Sequence, residues 1–266
     1  MPFGVSYMRL DKYLSDMGVA TRSESKKIIK AGRISIDGGT ITDPAFHVSD
    51  TNTVSLDGTP LSYQEHIYYM LNKPQGVITA TRDNSKKTIL DLINPSDRIR
   101  ELFPVGRLDK DTEGLLLITD NGALAHEMLS PKKHVDKTYE AIVAGEVTKS
   151  DISAFASGME IDGGDICLPA LLTVESTISF VNLSEEYKKK FPFKTETVLT
   201  SDTILSFIRI TIREGKYHQI KRMCKRRGHE VLYLKRLTMG PLTLDESLAL
   251  GEYRPLTEEE ISSLKS

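Results

Sequence analysis

Several features common in proteins are scarce or missing in this sequence of 266 residues. It contains no tryptophan and only two cysteines, Cys167 and Cys224, which lie far apart and outside any Cys-x-x-Cys spacing or histidine cluster. We therefore predict two reduced structural thiols and no disulfide or zinc site. No apolar run approaches the roughly 18 residues that cross a bilayer, so no membrane partner is expected.

The sequence also lacks the motifs of common cofactor-dependent enzymes. It contains no phosphate-binding Walker loop, no dinucleotide-binding glycine fingerprint and no cluster of metal ligands. The sequence therefore gives no indication of a metal or of another cofactor. The first residues, Met1 to Arg9, do not form the basic-then-apolar pattern of a secretory signal, which predicts a cytoplasmic protein.

The charged residues are unevenly distributed along the chain. Hydrophobic residues make up 39% and charged residues 27%, which is enough apolar sequence for a core, and the length predicts two domains. The net charge of −2 argues against a nucleic-acid partner, but residues 9–33 hold seven basic and three acidic residues, and residues 213–236 hold nine and two. Two basic stretches in a slightly acidic chain favour a phosphate-bearing partner.

The first basic stretch belongs to a segment, residues 8–62, that has the pattern of a small separate domain. Apolar residues at helical spacing predict a first helix after Arg9, and the run Thr21 to Glu24 fits a capping box at the start of a second helix. Gly32 is predicted to end that helix, and Gly38-Gly39 to form the turn of a hairpin. The cations of the second helix share an exposed face, which by spacing alone fits either a solvated surface or an RNA-binding one.

This segment resembles a small RNA-binding module that a ribosomal small-subunit protein shares with several RNA-modifying enzymes. The resemblance rests on the run Met8 to Leu14 and on the later run that ends at Asp37-Gly38. It implies a helix–turn–helix plus hairpin that binds RNA through its cations. The predicted RNA-binding residues are Arg9, Arg22, Lys26, Lys27, Lys30 and Arg33.

After a short polar linker at residues 63–66, strands and helices alternate without a repeat. The predicted strands include residues 115–119, 137–143 and 207–212. Residues 219–227 are predicted to form a basic helix. The pattern predicts an α+β domain with a mainly antiparallel mixed sheet over residues 66–252. The polar stretch 184–201 is predicted to be a variable insertion without a chemical role.

The densest group of charged residues lies between Gly106 and Gly114. It holds three carboxylates and two cations and leads directly into an apolar run. Composition alone favours a charged, solvent-exposed turn, although a loop anchored on a rigid scaffold is also a common position for catalytic groups.

Four motifs in this part of the chain resemble, in the same order, those of the pseudouridine synthases. They are Asn72 to Val77, Gly106 to Asp109 with Thr112 to Leu116 after it, Lys137 to Tyr139, and Glu214 to Met223. The resemblance covers about residues 70–240 and implies that a uridine in RNA is isomerised to its carbon-linked form without a cofactor. The implied fold is α+β, with the small N-terminal RNA-binding module followed by a pseudouridine synthase catalytic domain on a mainly antiparallel mixed sheet.

The same resemblance implies roles for individual residues. Asp109 takes the position of the catalytic carboxylate, Tyr139 that of the ring packed against the target base, and Lys221 that of the cation that keeps a buried aspartate charged. The other predicted substrate-binding residues are Arg107, Leu234, Lys216 and Arg222, the last two as contacts to RNA phosphates. Asp111 and Glu113 are expected to be structural or solvent-facing.

Three features indicate which class of RNA is the expected substrate. They are the N-terminal module and two late runs, Lys216 to Met223 and Leu250 to Thr257. They resemble the branch of the family that modifies ribosomal RNA, and within it the small-subunit enzymes. The expected partner is therefore ribosomal RNA or an assembling small ribosomal subunit, bound by a monomer. A large-subunit enzyme of the same family and a non-catalytic RNA-binding assembly factor stay open. A glycoside hydrolase with two carboxylates is disfavoured, because tryptophan sugar platforms are absent.

Overall fold

The computed structural model describes residues 7–49, 51–61, 66–98, 100–191 and 195–265. The chain forms two compact units, which are Met1–Ile67 with Asn94–Glu101, and Tyr68–Ile93 with Leu102–Ser266. The predicted domain ranges, 8–62 and 66–252, are narrower than these units. Most of the predicted linker, residues 63–65, lies outside the described residues. In the part of the chain that is described, every helix is too short or too polar to be a candidate for crossing a bilayer.

The first unit combines two helices with short antiparallel strands. Its elements are β1 Met8–Arg9, α1 Leu10–Asp16, α2 Arg22–Lys30, β2 Ile34–Ile36, β3 Gly39–Ile41, β4 His47–Val48, β5 Val54–Leu56 and β6 Thr59–Leu61. Strand β1 pairs with β4, and the other four form a sheet in the order β3-β2-β5-β6. The predicted capping box is present, with the Thr21 hydroxyl accepting from the Glu24 amide, and Gly32 follows the helix with φ +72°. The buried core consists of Leu10, Leu14, Ile29, Ile34 and Val54 with their neighbours.

The hairpin turn lies one residue earlier than the sequence predicted. Asp37 and Gly38 occupy it, with φ values of 50° and 84°, and Gly39 already belongs to β3. A tight two-residue turn of this kind needs positive φ at both positions, and Asp-Gly is among the pairs that meet that need. The Asp37 carboxylate also accepts from the Thr53 amide at 2.8 Å and from Asn52 at 2.7 Å, which fixes the turn.

The second unit contains eleven labelled strands and five helices among its described residues. They are β7 Tyr68–Lys73, β8 Phe103–Pro104, β9 Glu113–Thr119, α3 Gly122–Leu129, β10 Lys137–Ala144, α4 Lys149–Ser157, β11 Met159–Glu160, β12 Ile166–Cys167, β13 Leu171–Ser179, α5 Glu185–Lys190, β14 Ile204–Ile212, α6 Gln219–Arg226, β15 Val231–Met239, β16 Leu242–Thr243, β17 Tyr253–Pro255 and α7 Glu258–Leu264.

A nine-stranded sheet organises this unit. Its order is β13-β14-β10-β15-β9-β7-β17, with β16 added to β15 and β8 to β9. Among the described residues its pairs are antiparallel except that of β15 with β9, which confirms the α+β class and the mainly antiparallel mixed sheet. The pairing of β17 with β7 extends the sheet beyond residue 252, where the predicted domain ends.

The parallel pair depends on Gly114, which lies where the charged loop enters the sheet. Its φ is +102°, and a Cβ atom at this position would collide with the carbonyl oxygen and amide nitrogen of Arg236. A glycine is therefore required for β9 to approach β15 this closely. This contact holds the end of the loop against the centre of the sheet.

The two cysteines are unpaired and buried, as predicted. Burial raises the pKa of the Cys224 thiol to about 12 and also raises that of Cys167. Both side chains therefore stay protonated near neutral pH and act as small apolar groups.

The predicted insertion is attached to the sheet rather than being a featureless loop. Within its described residues, which exclude 192–194, α5 places the Tyr187 ring edge-on to Phe207 and Tyr233 with centroids 5.8 and 5.4 Å apart. The Lys190 carbonyl accepts a hydrogen bond of 3.1 Å from the Gln75 side chain. The segment therefore braces the turn that follows β7.

Candidate active site

The loop between β8 and β9 is held in place by the ammonium group of Lys73. The Lys73 side chain is completely buried, and its Nζ donates to the carbonyl oxygens of Thr112 at 2.9 Å, Asp109 at 3.0 Å and Pro74 at 3.1 Å. A single cation at the end of β7 thus binds both ends of the four-residue stretch from Asp109 to Thr112. The sequence singled out the motif that contains Lys73 but assigned it no role.

Three further hydrogen bonds fix the same loop. The Thr79 hydroxyl donates to the Leu108 carbonyl at 2.7 Å and accepts from the Leu108 amide at 3.1 Å. The Gly76 amide donates to the Lys110 carbonyl at 2.8 Å. The backbone on both sides of Asp109 is therefore bound to the segment that follows β7, and the loop is preorganised rather than a solvated turn.

Burial makes the charge on Lys73 costly. Removal from water lowers the pKa of its ammonium group to about 8. The negative charges of Asp111, Asp109 and Glu113 act in the opposite direction and raise this pKa. The carbonyl groups and the nearby carboxylates offset part of this cost. Lys73 is therefore a charged clamp that begins to lose its proton only slightly above neutral pH.

An open pocket lies above this loop and is built from several distant parts of the sequence. It is lined by Arg107, Leu108, Asp109, Tyr139, Ile212, Gly215, Lys216, His218, Gln219, Ile220, Lys221 and Leu234. Six of the predicted catalytic and substrate-binding residues meet here, and Arg222 is the one of that set that does not line the pocket. Three of the four motifs noted in the sequence thus line one pocket, and the first, Asn72 to Val77, binds the backbone of its loop through Lys73 and Gly76.

Asp109 lies between two cationic or potentially cationic side chains. Its carboxylate is 3.3 Å from Lys221 Nζ and 3.5 Å from His218 Nε2. The side chain is 28% exposed, so the expectation of a buried carboxylate is wrong and water reaches this group in the absence of a substrate. Asp109 therefore needs a neighbouring cation such as Lys221 to offset the cost of burial only when a ligand covers the pocket.

Lys221 is shared between two carboxylates. Its Nζ is 2.6 Å from Asp111 Oδ1, which is closer than its 3.3 Å separation from Asp109. Burial is the largest single influence on Asp111 and opposes its ionisation, but the hydrogen bond and the charge of Lys221, together with smaller contributions, outweigh it and lower the Asp111 pKa. Asp111 is therefore an ion-pair partner within the site and not only a solvent-facing residue. Glu113 is buried as a structural group and accepts from the Tyr233 hydroxyl at 2.9 Å.

Tyr139 and Leu234 form the apolar side of the pocket. Both are buried, and they lie on the neighbouring strands β10 and β15. The pairing of these strands is irregular between Thr138 and Tyr139, where Leu237 is left without a partner in the register. Such irregularities change the direction of nearby side chains. The aromatic ring and the leucine thus provide surfaces against which a flat apolar group can pack.

The three remaining residues predicted to bind substrate differ in how far acidic side chains already pair with them. Arg107 is exposed at the pocket, and Lys216 Nζ is 3.8 Å from an Asp165 oxygen. Arg222 is bound by Asp162 at 2.6 Å and Asp165 at 2.9 Å, and its side chain is mostly buried. Its guanidinium is occupied by acids, so the role of phosphate contact does not fit this arrangement.

His218, like Lys73, is a residue of the site to which the sequence assigned no role. It precedes α6 with φ +49°, an uncommon conformation for a non-glycine residue, and this directs its ring toward Asp109. The sequence held a usable signal, because His218 lies in the same motif as Lys221, only three positions before it.

Three of the predicted RNA-binding cations surround an acidic residue of the first unit. Asp11 is fully buried, and its carboxylate lies 2.9 Å from Arg9, 3.7 Å from Arg22 and 4.0 Å from Lys26. The hydrogen bond from Arg9 keeps the Asp11 pKa low despite burial. One carboxylate thus gathers three cations into a positive patch, with Lys27 and Lys30 exposed on the same helix as Arg22 and Lys26. Arg33 instead pairs with Asp57.

The pocket geometry is suited to covalent or acid–base chemistry on a flat, neutral ring attached to a charged backbone. A carboxylate on a rigid loop faces an aromatic ring and a leucine, with basic groups around the opening. A carboxylate can attack an electrophilic carbon or abstract a proton. The basic groups can bind phosphates without reading a sequence.

Comparisons with known proteins agree with this geometry. The model of the family described as RNA pseudouridylate synthase matches residues 67–226, and that of the S4 domain matches residues 8–54. The chain is 48% identical to the uncharacterized RNA pseudouridine synthase YtzG of Bacillus subtilis (strain 168), over 97% of this chain and 98% of the relative. It is 36% identical to the ribosomal small subunit pseudouridine synthase A of Escherichia coli (strain K12), over 97% and 100%.

A solved structure supports the same relationship. The crystal structure of a pseudouridylate synthase aligns with a TM-score of 0.59 at 33% sequence identity, and the alignment covers 97% of this chain and 99% of that one. Sequence and fold comparisons therefore agree over nearly the whole chain.

Proposed function

This chain belongs to the RNA pseudouridylate synthase family, and we propose that it converts one specific uridine of small-subunit ribosomal RNA to pseudouridine, with Asp109 as the catalytic carboxylate. Family membership makes the protein an isomerase, and its S4 domain is an RNA-binding module. The alternatives of a non-catalytic assembly factor and a glycoside hydrolase are therefore not retained.

The observation that carries the assignment of Asp109 is its position in the pocket. It is the one carboxylate among the described residues that line this pocket together with the buried Tyr139 and Leu234. Asp111 is turned toward Lys221 and lines a neighbouring depression instead. A base held against Tyr139 would bring its ribose to the carboxylate of Asp109.

The reaction requires no more groups than this pocket offers. The bond between ribose C1′ and uracil N1 breaks, the base turns, and C1′ bonds to C5. The C5 proton is lost and N1 gains a proton, so that the composition of the RNA is unchanged. Asp109 either attacks the ribose or abstracts a proton from it, and both steps start from the ionised carboxylate. Tyr139 holds the base after it has left its stack.

We expect Lys221→Met to lower kcat about tenfold. A charged hydrogen bond contributes about 1.5–3 kcal/mol, and the partial exposure of this site reduces that value. Single-turnover rates on saturating RNA measure the change. Lys225→Met is the matched control, because Lys225 lies one turn later on α6 and pairs with Glu196 outside the pocket. Equal rates for both variants would contradict a role of Lys221 at Asp109.

The choice of small-subunit RNA is supported by the relatives. Proteins named ribosomal small subunit pseudouridine synthase A match this chain at 36–37% identity over nearly full length. We propose the same class of substrate here, as naked RNA or an assembling subunit bound by a monomer in the cytoplasm. A large-subunit target is the alternative within the family.

The test is a map of new pseudouridines on unmodified RNA. Small- and large-subunit ribosomal RNA are incubated with the protein, treated with a carbodiimide that marks pseudouridine, and read by primer extension. We expect one new stop, in small-subunit RNA. A stop in large-subunit RNA alone would contradict the proposed substrate but keep the reaction. No stop on either RNA or on partly assembled subunits would contradict the proposed function.

The exposed lysines of α2 are expected to supply part of the RNA affinity. Lys27→Glu with Lys30→Glu should raise Kd and make binding less dependent on salt, because two fewer cations displace counterions from the RNA. The slope of log Kd against log salt should fall by about 1–2. Filter binding at several salt concentrations measures it, and the rate of bound substrate should be unchanged. An unaltered slope would show that this face is only solvated.

A further inference from the structure

An aromatic pair that the chemistry described above does not use lies beside the pocket, which one of its members, His218, lines. The rings of Tyr217 and His218 are stacked, with centroids 3.8 Å apart and an interplanar angle of 18°. His218 contacts Asp109 through its Nε2 atom, whereas Tyr217 is 76% exposed. The exposed ring of Tyr217 leaves one aromatic face open to a ligand, and it is joined through His218 to Asp109.

The segment that carries this pair is rigidly braced. The buried Gln219 side chain accepts from the Lys216 amide at 3.0 Å and donates to the Glu214 carboxylate at 2.8 Å. Glu214 in turn accepts from the Leu168 amide at 2.8 Å, and Arg222 donates to the Tyr217 carbonyl at 3.2 Å. The ring of Tyr217 is thus held outward by a fixed backbone. Such preorganisation lowers the entropic cost of binding a ligand.

The surroundings of the pair indicate the class of ligand. Lys216 precedes Tyr217 in the chain and lines the pocket together with His218 and the exposed Arg107, so that positive charge lies near the aromatic surface. A flat ring beside positive charge fits a nucleobase on its phosphate backbone, since bases stack on aromatic side chains while cations bind the phosphates. A peptide partner would not need this combination of a bare aromatic face and phosphate-binding groups.

We propose that Tyr217, supported by the stacked His218, is a platform on which the nucleotide next to the target uridine stacks its base. This inference rests on the proposed function, because it takes the occupant of the pocket to be a uridine of single-stranded or opened RNA. Stacking there holds the neighbouring base while the target enters the pocket, and stabilises the opened RNA conformation. The platform contributes binding and is sequence-tolerant, because every base has a π-face.

The kinetic test compares Tyr217→Ala with Tyr217→Phe on unmodified small-subunit ribosomal RNA. Loss of one base stack should raise KM about tenfold in Tyr217→Ala, with most of the loss in KM rather than kcat, and Tyr217→Phe should restore the wild-type value. A fall in kcat with KM intact would overturn the platform, because it would show that Tyr217 acts only by positioning His218. Equal KM values for all three proteins would overturn it as well.

The absence of tryptophan from the chain permits a direct optical test. Tyr217→Trp creates a single-tryptophan protein, whose fluorescence should be quenched when the same RNA stacks on the indole. Val181→Trp, at an exposed position just after β13 and at the end of the sheet away from the pocket, is the matched control and should show little change. Equal quenching in both proteins would overturn the platform. Pseudouridine formation by the wild-type protein on this RNA is measured alongside. If no pseudouridine forms, the proposed function and the platform both fail. If pseudouridine forms and the indole is not quenched, only the platform fails.

Discussion

Asp109→Asn is expected to abolish pseudouridine formation while leaving RNA binding nearly intact. The amide keeps the size of the side chain and cannot act as a nucleophile or a base, so the rate should fall by at least about four orders of magnitude. RNA labelled with tritium at uracil C5 reports the reaction directly, because the C5 hydrogen leaves when C5 bonds to C1′. Single-turnover release measures the rate, and filter binding measures Kd.

Asp111→Asn is the matched control for this prediction. It makes the same substitution two residues later in the same loop, where the carboxylate binds Lys221. We expect its rate to fall by less than about tenfold, because Lys221 stays available to Asp109. If Asp111→Asn were the inactive variant and Asp109→Asn the active one, the assignment of the catalytic carboxylate would have to be exchanged.

Lys73→Met is expected to give the second largest loss, on the order of 100-fold in the single-turnover rate. The substitution leaves the carbonyl groups of Asp109 and Thr112 without their buried donor, so the loop can shift, and a displacement of about 1 Å at a catalytic group costs rates of this order. Lys110→Met, at an exposed position in the same loop, is the control. A rate within threefold of wild type would show that the loop holds its shape without the ammonium group.

The same lysine predicts opposite effects of pH on rate and on stability. Burial lowers its pKa to about 8 in the folded protein, against about 10.4 in an unfolded chain. Above pH 8 the clamp loses a proton and the rate should decline. Between these pH values the unfolded chain binds the additional proton, so the contribution of Lys73 to the free energy of unfolding rises with pH.

Urea denaturation tests the stability effect. From about pH 7.5 to about pH 9.5, the free energy of unfolding of the wild type relative to Lys73→Met should rise by about 2 kcal/mol. A constant difference between the two proteins would mean that Lys73 does not titrate in this range. The rate decline above pH 8 would then have to come from another group.

The sequence predicted those features that depend on local pattern or on a recognisable motif. The capping box at Thr21, the strands of the central sheet and the meeting of Asp109 with Tyr139, Lys221 and Leu234 are all present. Each of these is encoded in residue spacing or in the order of the four motifs. The hairpin turn was misplaced by one residue because adjacent Asp-Gly and Gly-Gly pairs both satisfy the turn pattern.

The features that were missed depend on contacts between distant segments. Lys73 reaches carbonyl groups 36 and 39 residues later in the chain, and the acids that occupy Arg222 lie 60 and 57 residues before it. The sharing of Lys221 between Asp109 and Asp111 depends on how α6 approaches the loop. Residue spacing does not predict contacts between segments so far apart in the chain. The partners of these side chains are therefore visible only in the folded structure.

The most direct test of the account is to count pseudouridine in small-subunit ribosomal RNA. Unmodified RNA is incubated with the wild-type protein or with Asp109→Asn, digested to nucleosides and separated by chromatography. We predict about one pseudouridine per RNA molecule with the wild type and none above background with Asp109→Asn. Pseudouridine in equal amounts from both proteins, or none from the wild type on naked RNA and assembling subunits alike, would contradict the account.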